Sequence, residues 1–304
     1  MKHTTNTQRQ TRPLVKWAGG KGQLLDDIRV NYPEGIGETT TRYAEPFIGG
    51  AAVLFDILNV YSFDEIYISD INRDLINLYT TVKDEPKSLI ESLKILKNEY
   101  MSLTYEEQRE YYLNKREKFN EIITTSYRIP SVEMASLFVF LNKTCFNGLY
   151  RVNSKGLFNV PMGRYKNPLI CDEENILNVS YKLQNAKIVH ADYKKSIDFI
   201  DEHTFVYFDP PYRPLTETSS FTSYTKDQFD DNDQIELAEY VRQLTRIGAK
   251  VMVSNSDPRN TNPDDNFFDD LYSDFNISRV QANRMINSKG SSRGKITELL
   301  ITNY

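Results

Sequence analysis

Phe205-Val206-Tyr207-Phe208 running straight into Asp209-Pro210-Pro211-Tyr212 constrains this chain more than any other stretch. An unbroken apolar run of β-forming residues reads as a strand buried on both faces, as in the parallel sheet of an α/β protein. In open α/β sheets, ligands bind outside the carboxyl ends of the strands. Two consecutive prolines bring no amide donors and stiffen the loop. Asp209 and the Pro210 carbonyl are then acceptors in a fixed geometry, with the flat face of Tyr212 beside them. A planar group with an exocyclic amine fits such a loop by stacking on the tyrosine and donating to both acceptors. The alternative, a proline-rich turn with a capping aspartate, gives the stiff acidic loop little packing purpose.

The surrounding pattern agrees with an α/β sheet. Tyr43-Ala44-Glu45-Pro46-Phe47 reads as a strand end entering a glycine turn, and Ala51 to Leu58 as the helix that follows. Ile66 to Asp70 alternates and ends in an acid, which predicts a second strand, and Leu75 to Val82 predicts a second helix. Strand–helix–strand–helix order implies parallel pairing. From Pro86 to Asn120 the chain turns charged and helical in period. An apolar helix over 131–142 comes next, then a Gly/Asn-rich stretch over 146–168 with turns and a short hairpin. The rhythm resumes with strands at 188–191, 205–208 and 250–254, a helix over 235–247, and an edge strand closing the chain at 296–302. Residues 86–184 are therefore expected to be an insertion in a domain made of 1–85 and 185–304. The acidic stretch 257–270 is expected to be a solvated loop.

Composition removes several classes. At 304 residues, 39% hydrophobic and 26% charged, the chain is able to bury a core. No apolar run approaches the roughly 20 residues of a membrane span, and the polar start, without a hydrophobic signal region, leads us to expect no secretion. Cys145 and Cys171 form no metal-ligand spacing and the three histidines add none, so neither a disulfide framework nor a metal is expected. The expected location is the cytoplasm. Net charge is −5, yet 141–170 and 276–297 contain basic residues and no acid. Two local basic faces on an acidic protein suit a polyanion partner.

Two further motifs stand beside the Asp-Pro-Pro-Tyr loop. In Glu45-Pro46-Phe47-Ile48-Gly49-Gly50-Ala51, glycines between strand and helix let backbone approach a ligand closely. Asp70, ending the next strand, is placed to grip ribose hydroxyls or to cap the following helix. Lys16-Trp17-Ala18-Gly19-Gly20-Lys21 fails as a P-loop because Gly22, rather than Ser or Thr, follows the lysine. A lysine at a glycine turn instead suits a ligand carboxylate, and Trp17 reads equally as core.

Together these motifs resemble the S-adenosyl-L-methionine-dependent amino-methyltransferases, and within them the D12 (Dam-like) class of DNA adenine methyltransferases with alpha-group motif order. The resemblance rests on K-W-A-G-G-K, E-P-F-x-G-G, D-I-N at 70–72 and F-D-P-P-Y at 208–212. One departure is Ala51, where many relatives carry a third glycine. The resemblance implies a Rossmann-like seven-stranded sheet with an inserted helical target-recognition domain. It implies catalysis at Asp209, Pro210 and Tyr212, and cofactor contacts from Trp17, Lys21, Phe47, Gly49, Asp70, Asp192 and Asp209. Asp192 reads nearly as well as a helix cap.

Asn147-Gly148-Leu149-Tyr150-Arg151-Val152-Asn153 and Phe158 to Tyr165 resemble the target-recognition segment of relatives that read GATC. DNA contacts are thereby implied for Phe146 as a wedge, Asn147, Leu149 and Pro161 at a thymine methyl, Arg151 at a guanine edge or a phosphate, Asn153, and Arg293 with Lys295 at phosphate. Phe221 to Tyr224 is expected near a flipped base. The implied partner is double-stranded DNA, with room for a companion restriction endonuclease acting on the same site. Methylation of RNA or of another DNA site, and a silent DNA-binding module, are the competing readings.

Overall fold

The computed structural model describes residues 10–125, 130–213, 229–283 and 295–304. Its strands are β1 (Arg42–Glu45), β2 (Glu65–Asp70), β3 (Ala186–His190), β4 (Thr204–Phe208), β5 (Lys250–Ser256), β6 (Asn276–Asn283) and β7 (Lys295–Thr302). They form a seven-stranded sheet in the order β3-β2-β1-β4-β5-β7-β6. β1 pairs in parallel with β2 and β4, and β4 with β5, while β7 runs antiparallel between β5 and β6. This is the mixed α/β, Rossmann-like sheet that the motifs implied. Every residue of β4 is buried, as its unbroken apolar sequence requires.

The helices are α1 (Leu25–Val30), α2 (Ala52–Val60), α3 (Arg73–Asp84), α4 (Pro86–Met101), α5 (Tyr105–Thr125), α6 (Val132–Thr144), α7 (Glu173–Lys182), α8 (Asp231–Ile247) and α9 (Phe267–Leu271). The chain separates by contact into two compact units. One takes the described residues up to Gly20, with Gly49–Val60 and Asp70–His190. In it, α3, α4 and α5 pack on α6, whose apolar sequence is buried along nearly its whole length. The other takes Lys21–Ile48, Tyr61–Ser69 and the described residues from Ala191 to Tyr304. There α8 starts at a capping box between Asp230 and Asp233 and stops at Gly248 with φ 97°.

Four sequence expectations change. β7 is an interior strand, and β6, which the sequence reading missed, forms the edge. Basic and polar residues hid the alternation of β6. α7 was also missed, since its polar sequence buries only Asn175, Ile176, Val179 and Ser180. The stretch 257–270 is not merely solvated: Asp257 is 1% exposed and accepts from the Arg279 guanidinium and the Thr297 hydroxyl, and α9 follows it. Arg279 also pairs with Asp269 at 2.7 Å, so its charge is answered within the protein rather than offered to a polyanion.

Candidate active site

The end of β4 carries a cluster of polar and aromatic groups in the second unit. Asp209 Oδ1 lies 2.6 Å from Lys21 Nζ and accepts from the Ser254 hydroxyl at 3.2 Å. Lys21 is almost fully buried, at 4% exposure, whereas Asp209 keeps 22%. Burial pushes the Asp209 carboxyl above its ordinary range, and Lys21 and Ser254 only partly oppose that shift. The same ammonium sits 4.5 Å from the centroid of the Tyr212 ring. Lys21 therefore bridges the acid and the aromatic face that the sequence singled out.

The loop after Asp209 is held from several sides. Gln234, fully buried on α8, donates to the Pro211 carbonyl at 3.1 Å and is itself held by Asn255 at 3.0 Å. The Tyr212 hydroxyl donates to Glu298 on β7. Arg213 forks onto Asp231 and reaches Asp265, and its carbonyl accepts from Ser256. Ser254, Gln234 and Glu298 escaped the sequence reading. The one available signal was Glu298, the only acid in the closing apolar strand.

Phe47 stacks on Tyr193, with centroids 5.2 Å apart, and meets Phe208 and Phe229 edge-on. The result is an aromatic box with Phe47 half-buried. Asp192 is exposed and caps the short helix that follows it, accepting from the Lys194 amide at 2.9 Å.

The first unit holds the glycine turn. Asp70 accepts from the Gly49 amide at 3.0 Å and from the Asn72 amide at 2.8 Å. Asn72, not Asp70, caps α3, so the capping alternative for Asp70 falls away. Burial lifts the Asp70 carboxyl to about 6. Both glycines lie against Trp17: a Cβ on Gly49 would stand 3.0 Å from the indole, and one on Gly50 2.9 Å from the Trp17 Cβ. Absence of side chains there admits the tryptophan, a reason the sequence did not reveal. Trp17 is half-buried rather than core and packs against Tyr150, with ring centroids 5.2 Å apart and planes tilted by 32°; the Tyr150 hydroxyl donates to buried Asp74 at 2.6 Å.

The proposed recognition segment also lies in this unit. Phe146 is 52% exposed, and Asn147, Arg151 and Pro161 are exposed with it, while Leu149 is half-buried. Asn147 adopts φ 56°. Arg151 is oriented by Asn159, which accepts from its Nε at 2.7 Å. Asn153 is occupied in forming a turn, accepting from the Lys155 and Leu157 amides. Helix α5 braces the segment: Tyr112 donates to the Val160 carbonyl at 2.8 Å, and Asn120 exchanges two hydrogen bonds with the Phe158 backbone. Lys295 opens β7, and Arg293 and Phe221 to Tyr224 lie outside the described residues. Among the described residues, no group of three or more His, Cys, Asp or Glu side chains is placed to hold a metal, and no helix is long and apolar enough to cross a membrane.

Comparison with known proteins points the same way. A family model described as D12 class N6 adenine-specific DNA methyltransferase matches residues 17–286. The chain is 50% identical over 297 residues to the Type II methyltransferase M.MjaIII of Methanocaldococcus jannaschii, covering 97% of this chain and 100% of the relative. It is 43% identical to the Type II methyltransferase M1.LlaDCHI of Lactococcus lactis subsp. cremoris, covering 96% and 95%. It is 35% identical to the DNA adenine methylase of Escherichia coli K12, again covering 96% and 95%.

Proposed function

We propose, from the premise that this chain belongs to the D12 class of N6 adenine-specific DNA methyltransferases, that its methyl donor is S-adenosyl-L-methionine and its target the adenine of GATC in duplex DNA. One observation carries the assignment of the reacting site. The Lys21 ammonium rests 2.6 Å from Asp209 and 4.5 Å from the Tyr212 centroid. A carboxylate that takes up a nitrogen donor beside an aromatic face is what an adenine requires, with its amino group on Asp209 and its ring on Tyr212.

The mechanism follows from these groups. The adenine leaves the base stack, since its amino group is out of reach inside the duplex. Tyr212 receives the ring. Asp209 and the Pro210 carbonyl accept from the amino group, which favours a more pyramidal nitrogen and frees its lone pair from the ring. Bound S-adenosylmethionine supplies a methyl group already activated by a positive sulfur. The protein's own contribution is orientation and electrostatics. The upward-shifted Asp209 carboxyl suits an acceptor facing an amino group that sheds a proton as it is methylated.

The residues present suit that cofactor. Asp70 accepts from the Gly49 amide on Oδ2 and the Asn72 amide on Oδ1, and a carboxylate accommodates about four donors, which leaves capacity for a ribose hydroxyl. In the first unit, Trp17, Gly49 and Asp70 are assigned to the cofactor; in the second, Lys21, Phe47, Asp192 and Asp209. Residues 86–184 are assigned to target recognition, with Phe146, Asn147, Leu149, Arg151, Asn153, Pro161, Arg293 and Lys295 on DNA. The two Type II relatives support a companion restriction endonuclease acting on the same site, and a DNA substrate supports a cytoplasmic location.

The test is transfer of labelled methyl from S-adenosylmethionine to duplexes with and without GATC. Transfer to adenine in GATC alone is expected, and Arg151→Ala should blur that preference without changing cofactor affinity. Equal transfer to both duplexes would overturn the target assignment. Transfer to RNA only, or cofactor binding without any transfer, would overturn the reading as a whole.

A further inference from the structure

We propose that Glu298 is a positioning residue for methyl transfer, fixing through the Tyr212 hydroxyl the aromatic plane on which the target base stacks. The inference rests on the assignment of Asp209 and Tyr212 to the adenine. Tyr212 follows two prolines, so its backbone is stiff, and the Pro211 carbonyl is pinned by buried Gln234. That leaves the ring free to swing about its own side-chain bonds. The hydrogen bond from its hydroxyl to Glu298 ties down the far end. With both ends held, the long axis of the ring is fixed; the preference of a phenolic O–H to lie in the ring plane, and Lys21 Nζ over the face at 4.5 Å from its centroid, then set the plane.

The acceptor is itself on a rigid support. Glu298 sits in an interior strand, opposite Ser256 of β5 and Val280 of β6. Its neighbour Thr297 is tied to Asp257 at 2.7 Å and to Asn260 at 2.9 Å. A half-buried acid between Ile296 and the Leu299-Leu300-Ile301 run costs solvation unless a donor answers it, and Tyr212 is that donor. A carboxylate partner also enriches the ring in electrons, which strengthens the attraction of its face for positive or electron-poor groups. Burial and the two flanking carboxylates, Asp209 and Glu298, push the Tyr212 hydroxyl well above its ordinary range. The phenol thus stays a donor throughout the working pH range, and Glu298 acts as an anchor, not as a base.

A double-mutant cycle with duplex DNA tests this, using wild type, Glu298→Ala, Glu298→Gln, Tyr212→Phe and the Glu298→Ala/Tyr212→Phe pair. The readouts are kcat, KM for DNA, Kd for S-adenosylmethionine, and the fluorescence of 2-aminopurine at the target position. Glu298→Ala and Tyr212→Phe should each lower kcat by about tenfold or more, the size expected when a charge-assisted hydrogen bond is lost. The pair should lose no more than either single variant. Glu298→Gln, which keeps an acceptor oxygen, should fall between wild type and Glu298→Ala. Cofactor Kd should stay unchanged, and quenching of the stacked 2-aminopurine should weaken in Glu298→Ala. Wild-type kcat in Glu298→Ala, or losses that multiply in the pair, would overturn the proposal while leaving the functional reading intact. A wild-type protein that methylates no DNA would overturn both. If Glu298→Ala does not fold, Tyr212→Phe and Glu298→Gln decide: lowered kcat with unchanged cofactor Kd supports the anchor, and wild-type kcat in Tyr212→Phe overturns it.

Discussion

At the scale of single residues, Asp70 and Asp209 show how different partners set apart two buried residues of one type. Both carboxyls are pushed upward by loss of water, but Asp209 has a lysine against it, whereas Asp70 is answered chiefly by two backbone amides. Asp70, near 6, then titrates just below neutral pH. Its folded value lies above the ordinary 3.8, so its contribution to folding is greatest below about 4 and is lost as pH rises through 6. Affinity for ribose hydroxyls at the proposed site runs the other way, because the ionised carboxylate is the stronger acceptor and protonation turns one of its oxygens into a donor. Cofactor Kd measured from pH 7.5 to 5 should therefore rise on acidification, and Asp70→Asn should flatten that dependence. A wild-type Kd that stays constant over the interval would contradict the ribose assignment. Asp209-Pro210-Pro211-Tyr212 was legible because a buried strand ending in a stiff acidic loop has few uses. Ser254 and Gln234 were not, since a serine within a strand and a glutamine on an amphipathic helix look like ordinary polar residues until the chain folds.

At the scale of elements, the turn into α2 shows where sequence reading reaches its limit. A strand, two glycines and a helix were all visible, but the reason for the glycines was not: Trp17, more than thirty positions away along the chain, lies on them. Ala51 then adopts φ 59°, a left-handed conformation that costs an L-residue about 1–2 kcal/mol. A glycine at this position would adopt the same conformation without that cost. Ala51→Gly should leave stability within about 1 kcal/mol of wild type, since relief of strain offsets added chain entropy and a lost methyl contact. Ala51→Val, β-branched and 1% exposed, should cost more than about 2 kcal/mol. Urea unfolding of the three proteins checks both values, and equal midpoints for valine and alanine would remove the strain argument. β6 and α7 stayed hidden for a related reason, their polar residues answering partners distant in sequence, as Arg279 answers Asp257 and Asp269.

At the scale of the molecule, net charge was the least informative quantity. A chain at −5 acts on a polyanion because charge is local. Part of the apparent basic surface is already neutralised at Arg279, so the proposed DNA contacts rest more on the exposed residues of 146–166. The order β3-β2-β1-β4-β5-β7-β6 puts β4 at an inner position, so the Asp209 loop grows from the best-supported part of the sheet. Parallel order was readable from the alternation of strands and helices. The place of β7 was not, because an interior and an edge strand of similar hydrophobicity differ only in the partner they find.

The most direct measurement compares wild type with Asp209→Ala by mapping N6-methyladenine at single-nucleotide resolution in duplex DNA treated with S-adenosylmethionine. Circular dichroism and cofactor titration on the same samples establish that both proteins are folded and loaded. The account predicts methylated adenine from wild type and a loss of at least about a hundredfold in Asp209→Ala, with the fold intact. Methylation persisting near the wild-type level in a folded Asp209→Ala protein would contradict the claim that the loop ending β4 holds the reacting amino group.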